Sequence, residues 1–225
     1  KIKKNTRVGI LFDRSFEMLI SMLGILKFGG SYVPLDFTLP INRLGHILKD
    51  AGIKTILYKE ATLLESLPIS KTINTLSIEK LSKYKTKEKE FERFEETEAY
   101  VMYTSGTTGN PKGISISDEN VITLINNPSA AIAITSSDRV LQWSNYAFDG
   151  CTYEFFGSLL NGATLHLIPT LAASNPAELL NVINNEKITV TFITTALFNT
   201  LSEYDFSLLS SICLLYTSPS PRDKT

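Results

Sequence analysis

Tyr103-Thr104-Ser105-Gly106-Thr107-Thr108-Gly109-Asn110-Pro111-Lys112-Gly113 decides how this chain is read. Four aliphatic hydroxyls, three glycines and one lysine share eleven residues, at the end of the apolar run Ala99-Tyr100-Val101-Met102-Tyr103. That run has the length and composition of a buried strand. A strand opening into such a loop suits phosphate. Glycines let the backbone approach a ligand closely, amides and hydroxyls donate to phosphate oxygens, and a lysine adds charge. Each hydrogen bond to a charged oxygen is worth about 1.5–3 kcal/mol, so several together hold a triphosphate. A plain Ser/Thr/Gly surface loop with a solvated lysine is the competing reading. The nucleotide P-loop, G-x-x-x-x-G-K-[ST], does not fit, because Pro111 precedes Lys112 and Gly113 follows it. The dinucleotide fingerprint G-x-G-x-x-G is absent.

Outward from this loop, strands and helices alternate. Val8 to Phe12 reads as a buried strand. Ser15 to Phe28 reads as a helix with Phe16, Leu19, Ile20, Leu23 and Leu26 on its apolar face, stopped by Gly29-Gly30. Tyr32-Val33 is a short strand, Ile41 to Asp50 a helix, and Ile53 to Tyr58 a strand. Glu79 to Glu98, dense in Lys and Glu, reads as a solvated connector. Asp118 to Asn126 reads as a helix capped by Ser117. Beyond it, a strand at Arg139 to Trp143 precedes a helix over Asp149 to Leu160, with Phe155, Phe156, Leu159 and Leu160 on its buried side. Ala163 to Ile168 is a strand. Asn175-Pro176-Ala177-Glu178 combines cap, first-turn proline and acid, a strong helix start. Ile188 to Phe192 is a β-branched strand, and Thr195 to Leu201 begins a last helix. This alternation predicts an α/β fold with parallel sheets covered by helices.

Composition sets limits. The 225 residues are 43% hydrophobic, enough for one substantial core or one domain plus part of another. The formal net charge of −1 offers no electrostatic case for nucleic acid or a membrane surface. No apolar run is long enough to span a bilayer. Two cysteines, Cys151 and Cys213, stand far apart and read as reduced thiols of a cytoplasmic protein. His46 and His166 have no partners at ligand spacing, so no metal site is predicted.

The loop resembles, along its full length, the phosphate-binding signature of the adenylate-forming (AMP-binding) superfamily. Leu26-Lys27-Phe28-Gly29-Gly30-Ser31-Tyr32-Val33-Pro34-Leu35-Asp36, with Pro40 and Arg43, resembles the "LKAGGAYVPLD…P…R" segment of nonribosomal peptide synthetase adenylation domains. Val8 to Ser15 with Glu17-Met18 resembles their entry strand and helix. Phe148-Asp149-Gly150-Cys151 resembles their "FD-x-S" segment, with Cys in place of Ser. The matches run in the family's order from about Val8 to Ile212. They imply a partial adenylation core over 1–212 and a disordered or foreign tail over 213–225. The fold so implied is the large N-terminal part of the acetyl-CoA-synthetase-like fold, incomplete. The adenine-contacting segment and the C-terminal subdomain with its lysine would lie outside it, so the 225 residues alone are expected to be inactive.

The resemblance also assigns chemistry. A carboxylate attacks the α-phosphorus of ATP, accompanied by Mg²⁺, to give an acyl-adenylate and pyrophosphate. A phosphopantetheine thiol on a carrier domain then takes the acyl group. Thr104, Ser105, Gly106, Thr107, Thr108, Gly109, Lys112 and Gly113 would bind the nucleotide, with Thr108 and Lys112 serving catalysis. Asp149 would pair with the α-ammonium of an amino acid, which separates this activity from that of an acyl- or aryl-CoA ligase. By spacing alone Asp149 reads equally well as a helix N-cap. Gly150, Tyr153 and Phe192 would line the side-chain pocket, although Tyr153 and Phe192 read also as core aromatics. Asp36 and Arg43 are read as fold supports. Carrier and condensation domains of the same synthetase are the implied partners. A non-catalytic nucleotide-binding remnant is the remaining alternative.

Overall fold

The computed structural model describes residues 6–81, 83, 97–104, 111–126, 133–205 and 214–216. The chain divides into two compact units, Lys1–Ile122 and Thr123–Thr225.

The first unit is built on a six-stranded sheet. Its elements are β1 (Arg7–Leu11), α1 (Phe16–Lys27), β2 (Ser31–Pro34), α2 (Ile41–Asp50), β3 (Thr55–Tyr58), β4 (Asn74–Ser77), a short α3 (Ile78–Leu81), β5 (Glu98–Thr104) and β6 (Lys112–Ser117). Helix α4 (Asp118–Asn126) follows. The sheet order is β4-β3-β1-β2-β5-β6, parallel except for the antiparallel β5–β6 pair. Leu11, Val33 and Ile56 from the strands, with Leu35 just beyond β2, meet Leu44, Ile47 and Leu48 of α2 in one buried cluster.

Strands β4 and β6 are not predicted from the sequence. Both lie at sheet edges, where half-exposed polar strands such as Lys112-Gly113-Ile114-Ser115-Ile116-Ser117 give little hydrophobic pattern. The charged connector also ends differently from expectation. Glu98 belongs to β5, and its carboxylate accepts from Arg7 Nε at 2.8 Å and Arg7 Nη2 at 2.7 Å. Asp36 acts as the expected fold support: Oδ1 accepts from the backbone N and hydroxyl of Thr38, closing a turn after β2.

The apolar face assigned to α1 requires correction. Met18, Leu19, Met22 and Ile25 are buried, whereas Phe16, Ile20 and Leu23 are exposed. The helix is apolar almost all round, so hydrophobicity alone left two candidate faces, and packing against β1 and β2 selected one.

The second unit holds a parallel sheet of order β10-β9-β7-β8. Its strands are β7 (Arg139–Gln142), β8 (Thr164–Leu167), β9 (Val190–Phe192) and β10 (Leu214–Tyr216). Its helices are α5 (Asp149–Leu160), α6 (Thr170–Ala173), α7 (Pro176–Asn185) and α8 (Thr195–Asp205). Asn175 caps α7 as predicted, its Oδ1 accepting from the amides of Ala177 and Glu178. Ser117 caps α4 reciprocally with Asn120: each side chain accepts from the other residue's amide.

On α5, Phe155 and Phe156 are buried, but Leu159 and Leu160 are exposed, a second correction. The helix seats on small residues instead. A Cβ at Gly157 would stand 2.9 Å from Ile134 Cδ1, and Ser158 is fully buried. Close approach of the backbone there turns the leucines outward. Within residues 213–225, expected as a disordered or foreign tail, Leu214–Tyr216 pair in parallel with Val190–Phe192 as an edge strand. No helix among the described residues is long and apolar enough to cross a membrane.

Candidate active site

The stems of the hydroxyl-rich loop are the last residues of β5 and the first of β6. Their antiparallel register sets Thr104 opposite Lys112 and Tyr103 opposite Gly113. Directly opposed residues share a sheet face and neighbours alternate. Thr104 and Lys112 therefore lie together on one face, a hydroxyl beside an ammonium, both exposed. Among the described residues Lys112 forms no ion pair, so its charge is uncommitted. Ser105, Gly106, Thr107, Thr108 and Gly109 lie outside the described residues.

On the other face Tyr103 packs against the first unit's core and donates its hydroxyl to Asp50 Oδ2 at 2.6 Å. Burial and that bond together push the Tyr103 phenol far above its ordinary range, so it stays a protonated donor. Gly113 accommodates this ring: a Cβ there would stand 2.9 Å from Tyr103 Cζ and 3.1 Å from Val101 Cγ1. The glycine is thus required by its strand partner. His46 Nε2 lies 3.1 Å from the carbonyl oxygen of Pro111, on the outgoing stem.

Asp149 is the first residue of α5. Phe148 occupies the N-cap position, and no side chain caps the helix. Asp149 is exposed and makes no hydrogen bond or ion pair among the described residues. The capping alternative therefore does not account for this side chain, and its anion sits where the helix dipole favours negative charge.

Directly beside it, Gly150 packs on Phe192. A Cβ at Gly150 would meet Phe192 Cδ1 and Cε1 at 3.4 Å and Ser144 Oγ at 2.8 Å. The structure brings these two pocket candidates together, with Phe192 half-buried at the end of β9. Tyr153 points elsewhere, packing with Ala163 and Leu165 against the buried Ile134, Val140 and Val190. Burial raises its phenol above the ordinary range.

Sequence reasoning missed what holds this region. Glu154 is 2% exposed. Its carboxylate accepts from the Ser144 backbone N at 3.1 Å to both oxygens, from Ser144 Oγ at 2.8 Å, and from Gln142 Nε2 at 3.5 Å. Gln142 Nε2 also donates to the Ser144 carbonyl at 2.6 Å. A buried carboxylate is tolerated only when donors surround it. Glu154 thus ties the turn after β7 to α5, and that turn leads into Asp149. No periodic signal marked Glu154, because α5 is buried on nearly every side. A surface depression of about 350 Å³ between α2 and residues 68–73 contains none of the predicted site residues.

Mainly parallel sheets with covering helices place the chain in the α/β class. The comparisons with known proteins identify it further. The chain matches the family described as "AMP-binding enzyme" over residues 1–221 and belongs to that family. The match runs past residue 212, where the motif-based reading ends.

Among curated proteins it is 41% identical over 211 residues to bacitracin synthase 1 of Bacillus licheniformis, covering 94% of this chain and 4% of that protein. It is 34% identical over 204 residues to gramicidin S synthase 2 of Brevibacillus brevis, covering 90% of this chain and 4% of that protein. Among solved structures, the N-terminal subdomain of Klebsiella oxytoca NpsA superposes with a TM-score of 0.83 at 26% identity, over 97% of this chain and 56% of that one. The nonribosomal peptide synthetase FmoA3, solved in an AMPPNP-bound form, superposes with a TM-score of 0.85 at 25% identity, over 97% and 24%. The chain thus spans a small fraction of its curated relatives and about half of the solved NpsA subdomain.

Proposed function

We propose that this chain is part of an amino-acid-activating adenylation domain of a nonribosomal peptide synthetase. In this reading the enzyme joins an amino-acid carboxylate to the α-phosphorus of ATP, forming aminoacyl-AMP and releasing pyrophosphate. The aminoacyl group then passes to the phosphopantetheine thiol of a carrier domain, and condensation domains of the same cytoplasmic synthetase extend the peptide.

The observation that carries the reading is Asp149. An exposed carboxylate with no partner among the described residues, beside the Gly150–Phe192 wall, suits an ammonium next to an apolar side chain. A fatty or aryl acid brings no such cation. Gly150 and Phe192 line the side-chain pocket. Tyr153, on α5 one turn along from Asp149, packs as a core aromatic against Ile134, Val140 and Val190.

Attack of one anion on another requires charge neutralisation and alignment more than acid–base chemistry. Thr104 and Lys112 supply a donor and a fixed charge from one sheet face. Ser105, Gly106, Thr107, Thr108, Gly109 and Gly113 complete the phosphate grip, with Thr108 and Lys112 acting on the departing pyrophosphate. ATP brings Mg²⁺, which neutralises phosphate charge.

Pyrophosphate–ATP exchange by the full-length protein, run over a panel of amino acids and fatty acids, tests the proposal. Exchange that depends on one or a few amino acids is expected. Exchange driven by a fatty or aryl acid and by no amino acid would overturn it.

A further inference from the structure

His46 and Asp50 stand four residues apart on α2, and so on one face of that helix. Each reaches a different stem of the loop. Asp50 Oδ2 accepts from the hydroxyl of Tyr103, the residue before Thr104 on β5. His46 Nε2 lies 3.1 Å from the carbonyl oxygen of Pro111, the residue before Lys112 on β6. A carbonyl only accepts, so Nε2 carries the hydrogen in that bond. Proline has no N–H, which leaves its carbonyl as the sole backbone group available for anchoring.

Thr104 and Lys112 form the last pair of the β5–β6 ladder, both exposed, with Lys112 on the edge strand β6. Terminal ladder pairs open most readily unless they are tied down. Here both strands are tied to one helix, itself fixed by the burial of Leu44, Ile47 and Leu48. Gly113 is part of the device, since a side chain there would displace the Tyr103 ring from its path to Asp50.

We propose that His46 and Asp50 are a pair of positioning residues that set Thr104 and Lys112 for the nucleotide phosphates. This rests on the phosphate-gripping reading of those two residues. Neither member touches the nucleotide. Each acts through one stem, so the pair governs ATP affinity and leaves amino-acid affinity alone.

The test uses the full-length protein with His46→Leu, Asp50→Ala, which removes the acceptor for the Tyr103 hydroxyl, and the double variant, plus His46→Gln, which retains an N–H donor. In pyrophosphate exchange each single variant is expected to raise KM for ATP about three- to ten-fold, the loss of one modest hydrogen bond. KM for the amino acid should stay within about two-fold, and His46→Gln should recover most of the loss. In parallel, amide hydrogen exchange at Lys112 and Gly113 should quicken about ten-fold or more in the double variant.

An unchanged KM for ATP in the double variant overturns the proposal. So does an equal rise in both KM values, which would mark general destabilisation. If the parent protein exchanges with no amino acid, the functional reading fails separately, and amide exchange still decides. Unchanged protection in the double variant would then show that the pair does not hold the stems.

Discussion

Replacing Glu154 by alanine should destabilise the second unit by several kcal/mol, and the hydrogen-bond geometry fixes the size. The carboxylate accepts from Ser144 N and Ser144 Oγ and receives Gln142 Nε2. In the variant the Ser144 amide has no alternative acceptor from that side chain, and a buried orphan donor costs about 1–3 kcal/mol. The serine hydroxyl loses a charge-assisted bond worth about 1.5–3 kcal/mol, part of which it recovers by rotating. Gln142 keeps its bond to the Ser144 carbonyl and adds little. The sum is about 3–5 kcal/mol once the emptied volume is included. That is a large share of the roughly 5–15 kcal/mol that holds a domain folded.

Glu154→Gln keeps one acceptor oxygen but sets an amide against the Gln142 donor, and should cost about 1–2 kcal/mol. The assay is urea unfolding followed by tryptophan fluorescence. Trp143, the only tryptophan of the chain, adjoins Ser144, and its indole N–H donates to the Ala173 carbonyl at 3.2 Å. With a slope of about 2 kcal/mol per molar urea, the alanine variant should lower the midpoint by about 1.5–2.5 M and the glutamine variant by less than about 1 M. An alanine midpoint within about 0.3 M of the parent would refute the reasoning, because the carboxylate could not then be holding the turn.

Asp149→Asn removes the charge that the proposed function pairs with an ammonium. KM for the amino acid should rise about 100-fold, with KM for ATP little changed, in pyrophosphate exchange. Gly113→Ala sets a methyl 2.9 Å from the Tyr103 ring, and thermal denaturation should show a loss of about 1–3 kcal/mol. Acid stability should depend on Glu98. Burial alone would raise its pKa, but hydrogen bonds from Arg7 and Ser115 outweigh that and hold the carboxyl below its ordinary range. A depressed folded-state value means that this stabilisation is complete above about pH 4.5 and disappears as pH falls through the folded value. Glu98→Gln should therefore flatten the loss of stability below about pH 4.5, measured as urea midpoints across a pH series.

The sequence by itself carried the alternation of strands and helices, the caps at Ser117 and Asn175, the helix opening at Asp149 and the loop with its lysine. These are local. A cap needs only the next turn of helix, and a motif needs only its own order of residue types. Tertiary structure decided the rest. α1 is apolar nearly all round, so only the sheet beneath it could choose Met18, Met22 and Ile25 over Phe16, Ile20 and Leu23. α5 turned Leu159 and Leu160 outward because Gly157 and Ser158 allow a closer approach. β4 and β6 exist because neighbouring strands offer hydrogen bonds, which polar edge sequences do not advertise. The residues that tie these segments, Glu154 at the turn before Asp149 in one unit and the His46–Asp50 pair at the loop stems in the other, act across gaps of 10 to 65 residues. Hydrogen-bond partners so far apart in the chain leave no periodic trace in it, and only the folded backbone brings them within reach of one another.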